Sequence, residues 1–295
     1  MGAQADLRRG LGFVRPLGRI SPSVLEPDLP PARASDLPGR GRVLARVVDG
    51  PAPVLLLHGW TLTADVNFCH LMPRLSGGLV AMDHRGHGRG LRRPERFTIE
   101  DSADDHVALL DALGIDKVIV FGYSLGGPIG LDLARRYPDR VAGLVLQSTA
   151  LYFDSIVDKL TKPLLKAVRP LAALGMGRTA PLRFLSDTRD RSTQTKLLWP
   201  WLRRELVQCH PRTIVDVMLA EYDFDFRPHV AALADVPTSV VVTAKDSAVP
   251  PRDQRDMAHR LGADVITIEE DHDVFLAAPQ AYVSASLEAI ARVTT

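Results

Sequence analysis

The chain has 295 residues, 46% of them hydrophobic, with 36 lysines and arginines against 35 aspartates and glutamates, a formal charge of +1. Such a length can bury one sizeable core with a subdomain set into it. The near balance of charge leaves no electrostatic footprint for a phosphate backbone, which counts against nucleic acid as a partner, and no stretch approaches the ~18 uninterrupted apolar residues of a membrane span. Two cysteines, Cys69 and Cys209, lie far apart without metal-ligand spacing, as expected of buried thiols in a reducing compartment rather than of a disulfide framework. The first residues, MGAQADLRRGLGFVRPLGR, lack the apolar core of a secretory signal, so the expected location is cytoplasmic.

Prolines at 16, 22, 27, 30, 31 and 38 predict an extended N-terminal arm over residues 1–40. Strands are then expected at 42–48, 53–58 and 78–83, the middle one a continuous apolar run of the kind buried on both faces. Ala103, Val107, Leu110 and Leu113 recur at helical spacing behind a capping pair of Thr98 and Asp101, and Gly114 ends that helix. A strand at 117–121, a helix from Gly126 to Tyr137 and a strand at 141–146 follow.

Between 151 and 228 the strand pattern gives way to helix-compatible pieces broken by Pro163, Pro170, Pro181, Pro200 and Pro211. The alternation returns with strands at 237–244 and 264–268 and helices at 251–261 and from Pro279. Short apolar strands alternating with helices predict an α/β chain with a mostly parallel, doubly wound sheet. Its core is expected over 41–150 and 229–295, with a helical cap inserted at 151–228. The cap's apolar side chains, among them Leu151, Phe184, Trp199 and Tyr222, exceed what a surface loop needs. Most of them hold the cap to itself and to the sheet, and the pocket roofed by the rest is expected to be apolar.

The run VIVFGYSLGGPIG leaves one hydroxyl, Ser124, at the corner between the strand ending near Phe121 and the helix starting at Gly126. Gly122-Tyr123-Ser124-Leu125-Gly126 is the G-x-S-x-G pattern of a nucleophile elbow, in which a sharp turn lifts the serine above a sheet. A glycine-rich turn without chemistry is the duller alternative, and the strand-turn-helix setting disfavours it. LLLHGW at 55–60, MDHRGHGRG at 82–90 and FGYSLGG at 121–127 stand in the order of the oxyanion-loop, D-x-R-G-x-G and elbow motifs of the α/β-hydrolase fold. The chain resembles that family, in its capped esterase, lipase and epoxide-hydrolase-like group, over residues 42 to 292.

The resemblance implies a catalytic triad in chain order. Asp246, in DSAVP after the strand that follows the cap, is its acid, and His272, after the last strand, is its base. Ser124 would be activated by His272, which Asp246 orients. The backbone N–H groups of Leu125 and Trp60 would hold the oxyanion, while Gly59 and Tyr123 are expected at the substrate pocket. Asp271 and Asp273 flank His272 but point elsewhere in an extended loop, and Gln147-Ser148-Thr149 offers no carboxylate where some members carry the acid.

His84 and His87 form an H-x-x-H pair without a third ligand nearby, so no metal is expected. Neither G-x-G-x-x-G nor a Walker pattern occurs, and no cofactor is expected. The resulting expectation is a serine hydrolase that forms an acyl-enzyme on Ser124 and acts on carboxylic esters with apolar, small-to-medium acyl groups. Cofactor-free haloperoxidase, lactonase, thioesterase and carbon-carbon bond hydrolase chemistry on the same triad stay open, as does a ligand receptor or scaffold with little turnover. The oligomeric state is not legible.

Overall fold

The computed structural model describes residues 25–294 apart from 94, 180, 181, 183, 184, 186, 187 and 189–191. The first 24 residues of the expected arm, and Pro181 and Phe184 of the expected cap, lie outside the described residues. Eight strands form one sheet: β1 (Ala32–Leu37), β2 (Gly41–Val48), β3 (Val54–Leu57), β4 (Leu79–Met82), β5 (Val118–Tyr123), β6 (Val141–Gln147), β7 (Thr238–Thr243) and β8 (Asp264–Ile268). They lie in the order β1-β2-β4-β3-β5-β6-β7-β8. The pairs β1/β2 and β2/β4 are antiparallel and all others parallel.

Side chains alternate across a strand, so each apolar run supplies both faces of a sheet that is covered on both sides. Leu55, Leu57, Val120, Leu144 and Leu146 enter one core cluster, while Val54, Leu56, Ile119, Phe121 and Val145 enter the other. Three helices pack the first face: α2 (Ile99–Leu113), α3 (Gly126–Arg136) and, further along the chain, Pro251–Leu261. Thr98 Oγ1 accepts from the Asp101 N–H at 3.1 Å, and Gly114 closes α2 in the left-handed conformation, as the sequence predicts. The second face carries α1 (Ala64–Phe68) and the C-terminal helix Pro279–Arg292.

One boundary moves. Residues 32–37, assigned from the prolines to the arm, pair along their whole length with β2 as an edge strand. Only Leu37 of this strand is buried, so no apolar alternation announced it. Pro31 and Pro38 bracket the strand and keep their missing N–H groups out of the ladder.

Between β6 and β7 the described residues form α4 (Ile156–Ala173), α5 (Thr193–Leu206) and α6 (Pro211–Glu221). Leu198, Trp201, Leu202 and Leu206 seat α5 in the second core cluster, and α4 packs on α6. The core and α5 are also joined by buried charge. Arg89, from the D-x-R-G-x-G loop, meets Glu205 of α5 at 2.9 Å and Asp65 of α1 at 2.8 Å. Burial pushes the Glu205 carboxyl above the ordinary glutamate range although the Arg89 charge pulls it down.

Removing the cation leaves Glu205 buried opposite an apolar stem, a change that costs about 3 kcal/mol or more in comparable sites. Urea unfolding of Arg89→Met is therefore expected to show that loss, and the double variant Arg89→Met/Glu205→Leu to regain most of it. Equal midpoints for wild type and Arg89→Met would contradict the link.

Candidate active site

The elbow is built by crowding. Ser124 sits at φ +51°, a left-handed conformation that disfavours a side chain. Its N–H donates to Gln147 O at 3.0 Å and its C=O accepts from Gly127 N at 2.8 Å, which fixes the turn. A Cβ at Gly122 would lie 2.4 Å from Gly126 O, one at Gly126 would lie 2.0 Å from Leu57 O, and one at Gly127 would meet Thr149 Oγ1 at 2.3 Å. These three positions have no room for any side chain, so α3 can begin directly under the serine.

The residues expected to work with Ser124 converge on it. His272 Nε2 lies 3.0 Å from Ser124 Oγ, and His272 Nδ1 lies 3.0 and 2.9 Å from the two oxygens of Asp246. The carboxylate is held from every side. Oδ1 accepts from the N–H groups of Ala248 and Val249 at 2.9 and 2.7 Å, and Oδ2 accepts from Thr243 Oγ1 at 2.7 Å and Gln254 Nε2 at 3.0 Å. With Nδ1 protonated and donating to this carboxylate, Nε2 carries the lone pair that faces the serine hydroxyl.

Asp271 and Asp273 do other work. Asp271 accepts from Ser247 N at 2.8 Å, Ser247 Oγ at 3.0 Å and the N–H of His272 at 2.6 Å, bracing the histidine loop against the acid loop. Asp273 accepts from Thr188 Oγ1, a residue of the segment between β6 and β7. Burial disfavours a charged His272, but the Asp246 carboxylate, the hydrogen bond to it and the charges of Asp271 and Glu221 outweigh that effect and hold its pKa above 6.5.

At the N-terminal end of α3 the N–H of Leu125 has no acceptor among the described residues, and neither has that of Trp60. The loop carrying Trp60 passes close to the serine, since a Cβ on Gly59 would lie 3.3 Å from Ser124 Cβ. Asn67 Oδ1 accepts from Gly59 N at 2.8 Å, and the Trp60 indole N–H donates to Ile214 O of α6 at 2.9 Å. The loop is thus tied to α1 below and to α6 above.

Tyr123 departs from expectation. Instead of facing a substrate pocket, the side chain is fully buried, its hydroxyl donates to the C=O of His272, and its ring meets Phe275 and Tyr282 edge-on. Alternation along β5 explains this, because a residue next to the elbow serine points into the layer beneath the sheet.

Behind the Trp60 loop lies a cluster that sequence reasoning missed. The rings of His58, His84, His87 and His106 are all buried. His58 Nε2 accepts from the N–H of His84 at 2.9 Å, so its Nδ1 carries the proton and donates to Gly59 O at 2.8 Å. His84 Nε2 faces His58 O at 2.9 Å and must donate, which leaves its Nδ1 to accept from His106 Nε2 at 2.8 Å. Every tautomer in this chain is fixed with all three rings neutral. Burial lowers the pKa values to about 4 for His58 and about 3 for His87 and His106, with His84 well below 6.5. The H-x-x-H pair is part of this packing, and no group of three or more side chains suited to a metal ion occurs among the described residues.

Comparisons with known proteins agree with this architecture. The sequence profile described as the alpha/beta hydrolase fold matches residues 52–279. A putative carbamate hydrolase of Caulobacter vibrioides is 49% identical over 69 residues, which are 23% of this chain and 26% of the relative, so the chain matches about a quarter of that protein's length. A pimeloyl-[acyl-carrier protein] methyl ester esterase of Aromatoleum aromaticum is 32% identical over 211 residues, covering 67% of this chain and 80% of the relative. Among solved structures, a bromoperoxidase from Bacillus anthracis superposes with a TM-score of 0.74 at 18% identity over 88% of this chain and 100% of its own, a likeness of fold alone.

Two outcomes follow from the site's geometry. Four histidines with depressed native pKa values bind protons in the unfolded state first, so stability present above pH 6.5 falls as the pH drops, by about 1.4 kcal/mol per pH unit per histidine. His272, shifted upward, runs the other way and offsets part of this. The urea midpoint is expected to fall markedly from pH 7 to pH 5, and a flat or rising midpoint would contradict a neutral cluster. Replacing Ser124 by glycine relieves the left-handed strain and alanine does not, so Ser124→Gly should unfold about 1 kcal/mol later than Ser124→Ala.

Proposed function

The chain belongs to the α/β-hydrolase fold family, and we propose that it is a serine hydrolase of carboxylic esters with small to medium apolar acyl groups. The observation that carries the reading is the unbroken hydrogen-bonded line from Ser124 Oγ through His272 to a fully coordinated Asp246.

A serine hydroxyl is a weak nucleophile at neutral pH, so the line supplies what it lacks. His272 Nε2 takes the proton as Oγ attacks the ester carbonyl, and Asp246 stabilises the imidazolium. The developing oxyanion lies between the N–H groups of Leu125 and Trp60, at the positive end of α3. His272 then gives its proton to the departing alkoxide, leaving an acyl-Ser124. Water, deprotonated by the same imidazole, attacks the acyl carbon; the bond to Ser124 Oγ breaks, the imidazolium returns its proton to Oγ, and the acid leaves. No cofactor enters these steps.

The apolar preference rests on the segment between β6 and β7, whose side chains, Leu151, Leu198, Trp201, Val217 and Phe226 among them, are mainly apolar and packed into the two core clusters; a site roofed by such a segment favours apolar groups. The similarity to a protein named a methyl ester esterase supports ester over peptide. Haloperoxidase chemistry has only short or fold-level likeness behind it.

Ser124→Ala is expected to lower kcat by a factor of order 10⁴ to 10⁶ without unfolding the protein. Asp246→Asn should cost somewhat less, and Asp273→Asn far less still. The rate constant kcat/KM should rise with pH through a value above 6.5, because His272 must be neutral to accept the proton. Across acetyl to dodecanoyl esters kcat/KM should peak at an intermediate length. Wild-type turnover by Ser124→Ala would end the reading, as would tight product retention with negligible turnover by the wild type, the behaviour of a receptor.

A further inference from the structure

Among the described residues the largest exposed apolar side chains concentrate on one element. Leu160, Leu164 and Leu171 on α4, with Leu174 and Met176 in the turn after it, are between 48 and 82% exposed. Leu160, Leu164, Ala167 and Leu171 recur at steps of four, three and four, so they form one stripe along the helix, and Leu174 follows in the turn. Core packing would turn such a stripe inward. Here the opposite face is turned inward instead. Thr161 Oγ1 donates to Tyr222 Oη at 3.1 Å, Lys162 pairs with Asp223, and Arg169 pairs with Asp216 of α6.

The apolar stripe is bordered by lysines. Lys159 and Lys166, seven residues apart, are both exposed and flank it on the side of Pro163 and Pro170. Of the four cations of α4, Lys162 pairs with Asp223, Arg169 pairs with Asp216 and Lys159 lies 3.9 Å from Asp154, so the border of the stripe itself is carried by Lys159 and Lys166. An exposed leucine stripe with lysines along its border is the pattern of a helix that lies in a lipid-water interface, its apolar side sunk among acyl chains and its cations among anionic head groups.

We propose that α4 is the surface by which this protein docks on an anionic lipid surface. The occupant is chosen by charge. A second copy of the chain seated on the same stripe about a two-fold axis would bring these lysines toward one another, and the two prolines inside α4 distort the even seam that helix pairing needs. Anionic lipid meets the same features with complementary charge and no demand for register. The proposal does not rest on the hydrolase reading, although docking would bring the segment between β6 and β7 against the source of an apolar substrate.

The experiment is co-sedimentation of the full-length protein with vesicles of phosphatidylcholine alone and of phosphatidylcholine mixed with phosphatidylglycerol. Binding to the anionic vesicles is expected to be at least tenfold tighter and to weaken as salt is raised. Leu160→Glu/Leu164→Glu should lose at least tenfold in affinity and Lys159→Glu/Lys166→Glu severalfold. Both variants should keep the wild-type circular dichroism and unfolding midpoint, since the altered side chains are exposed. Absence of binding to anionic vesicles would overturn the proposal, as would equal binding by the leucine variant. So would light scattering that shows a concentration-dependent dimer abolished by Leu160→Glu/Leu164→Glu, which would assign the stripe to a second copy.

Discussion

The left-handed turn at Ser124 is the constraint on which the rest of the site depends. It raises one hydroxyl above the sheet, and it exists only because neighbouring backbone can come within distances that exclude a Cβ at Gly122, Gly126 and Gly127. Strain at one residue is tolerable when the surroundings over-determine it. Here β5 is paired on both sides, with β3 and β6, and is buried throughout. The parallel sheet then places the Asp246 loop and the His272 loop at the same edge as the elbow, because β7 and β8 run in the same direction as β5.

Around that turn, most polar groups serve to hold others still. The acid is fixed by five donors, the histidine loop is held by Tyr123 and Asp271, and the Trp60 loop is held by Asn67, Ile214 and the neutral histidines. In the proposed reaction, donors whose positions are set before the substrate arrives would need no reorganisation as charge develops, and such preorganisation is where a serine hydrolase site gains most of its rate. The histidine cluster carries a cost in return, since rings that are neutral in the native state are sites the unfolded chain can protonate.

Strand and helix positions were legible because their periods are distinct: the apolar runs of β3, β5 and β7 and the spacing of α2 each match one template. The positions of Ser124, Asp246 and His272 in the chain could be read because short motifs mark them. What escaped was held by long-range contact. Strand β1 gains its place from backbone pairing to β2, which residue type does not reveal. Gln254 is one uncharged residue in a helix crowded with arginines and aspartates, and nothing local distinguishes it as the donor to Asp246. The direction of the Tyr123 ring needed the strand's alternation to be carried one residue past Gly122, and the histidine chain joins positions 58, 84 and 106 from three different elements.

The proposed role of Ser124, a nucleophile activated by His272, is open to direct chemical test. A fluorophosphonate reacts with such a hydroxyl by displacement of fluoride, and intact-mass measurement followed by peptide mapping locates the adduct. One adduct per chain is expected, on the peptide containing Ser124, formed much more slowly in Asp246→Asn and at a rate that rises with pH through a value above 6.5. Labelling at another residue, or labelling of Ser124 at a rate unchanged by loss of the Asp246 charge, would contradict it.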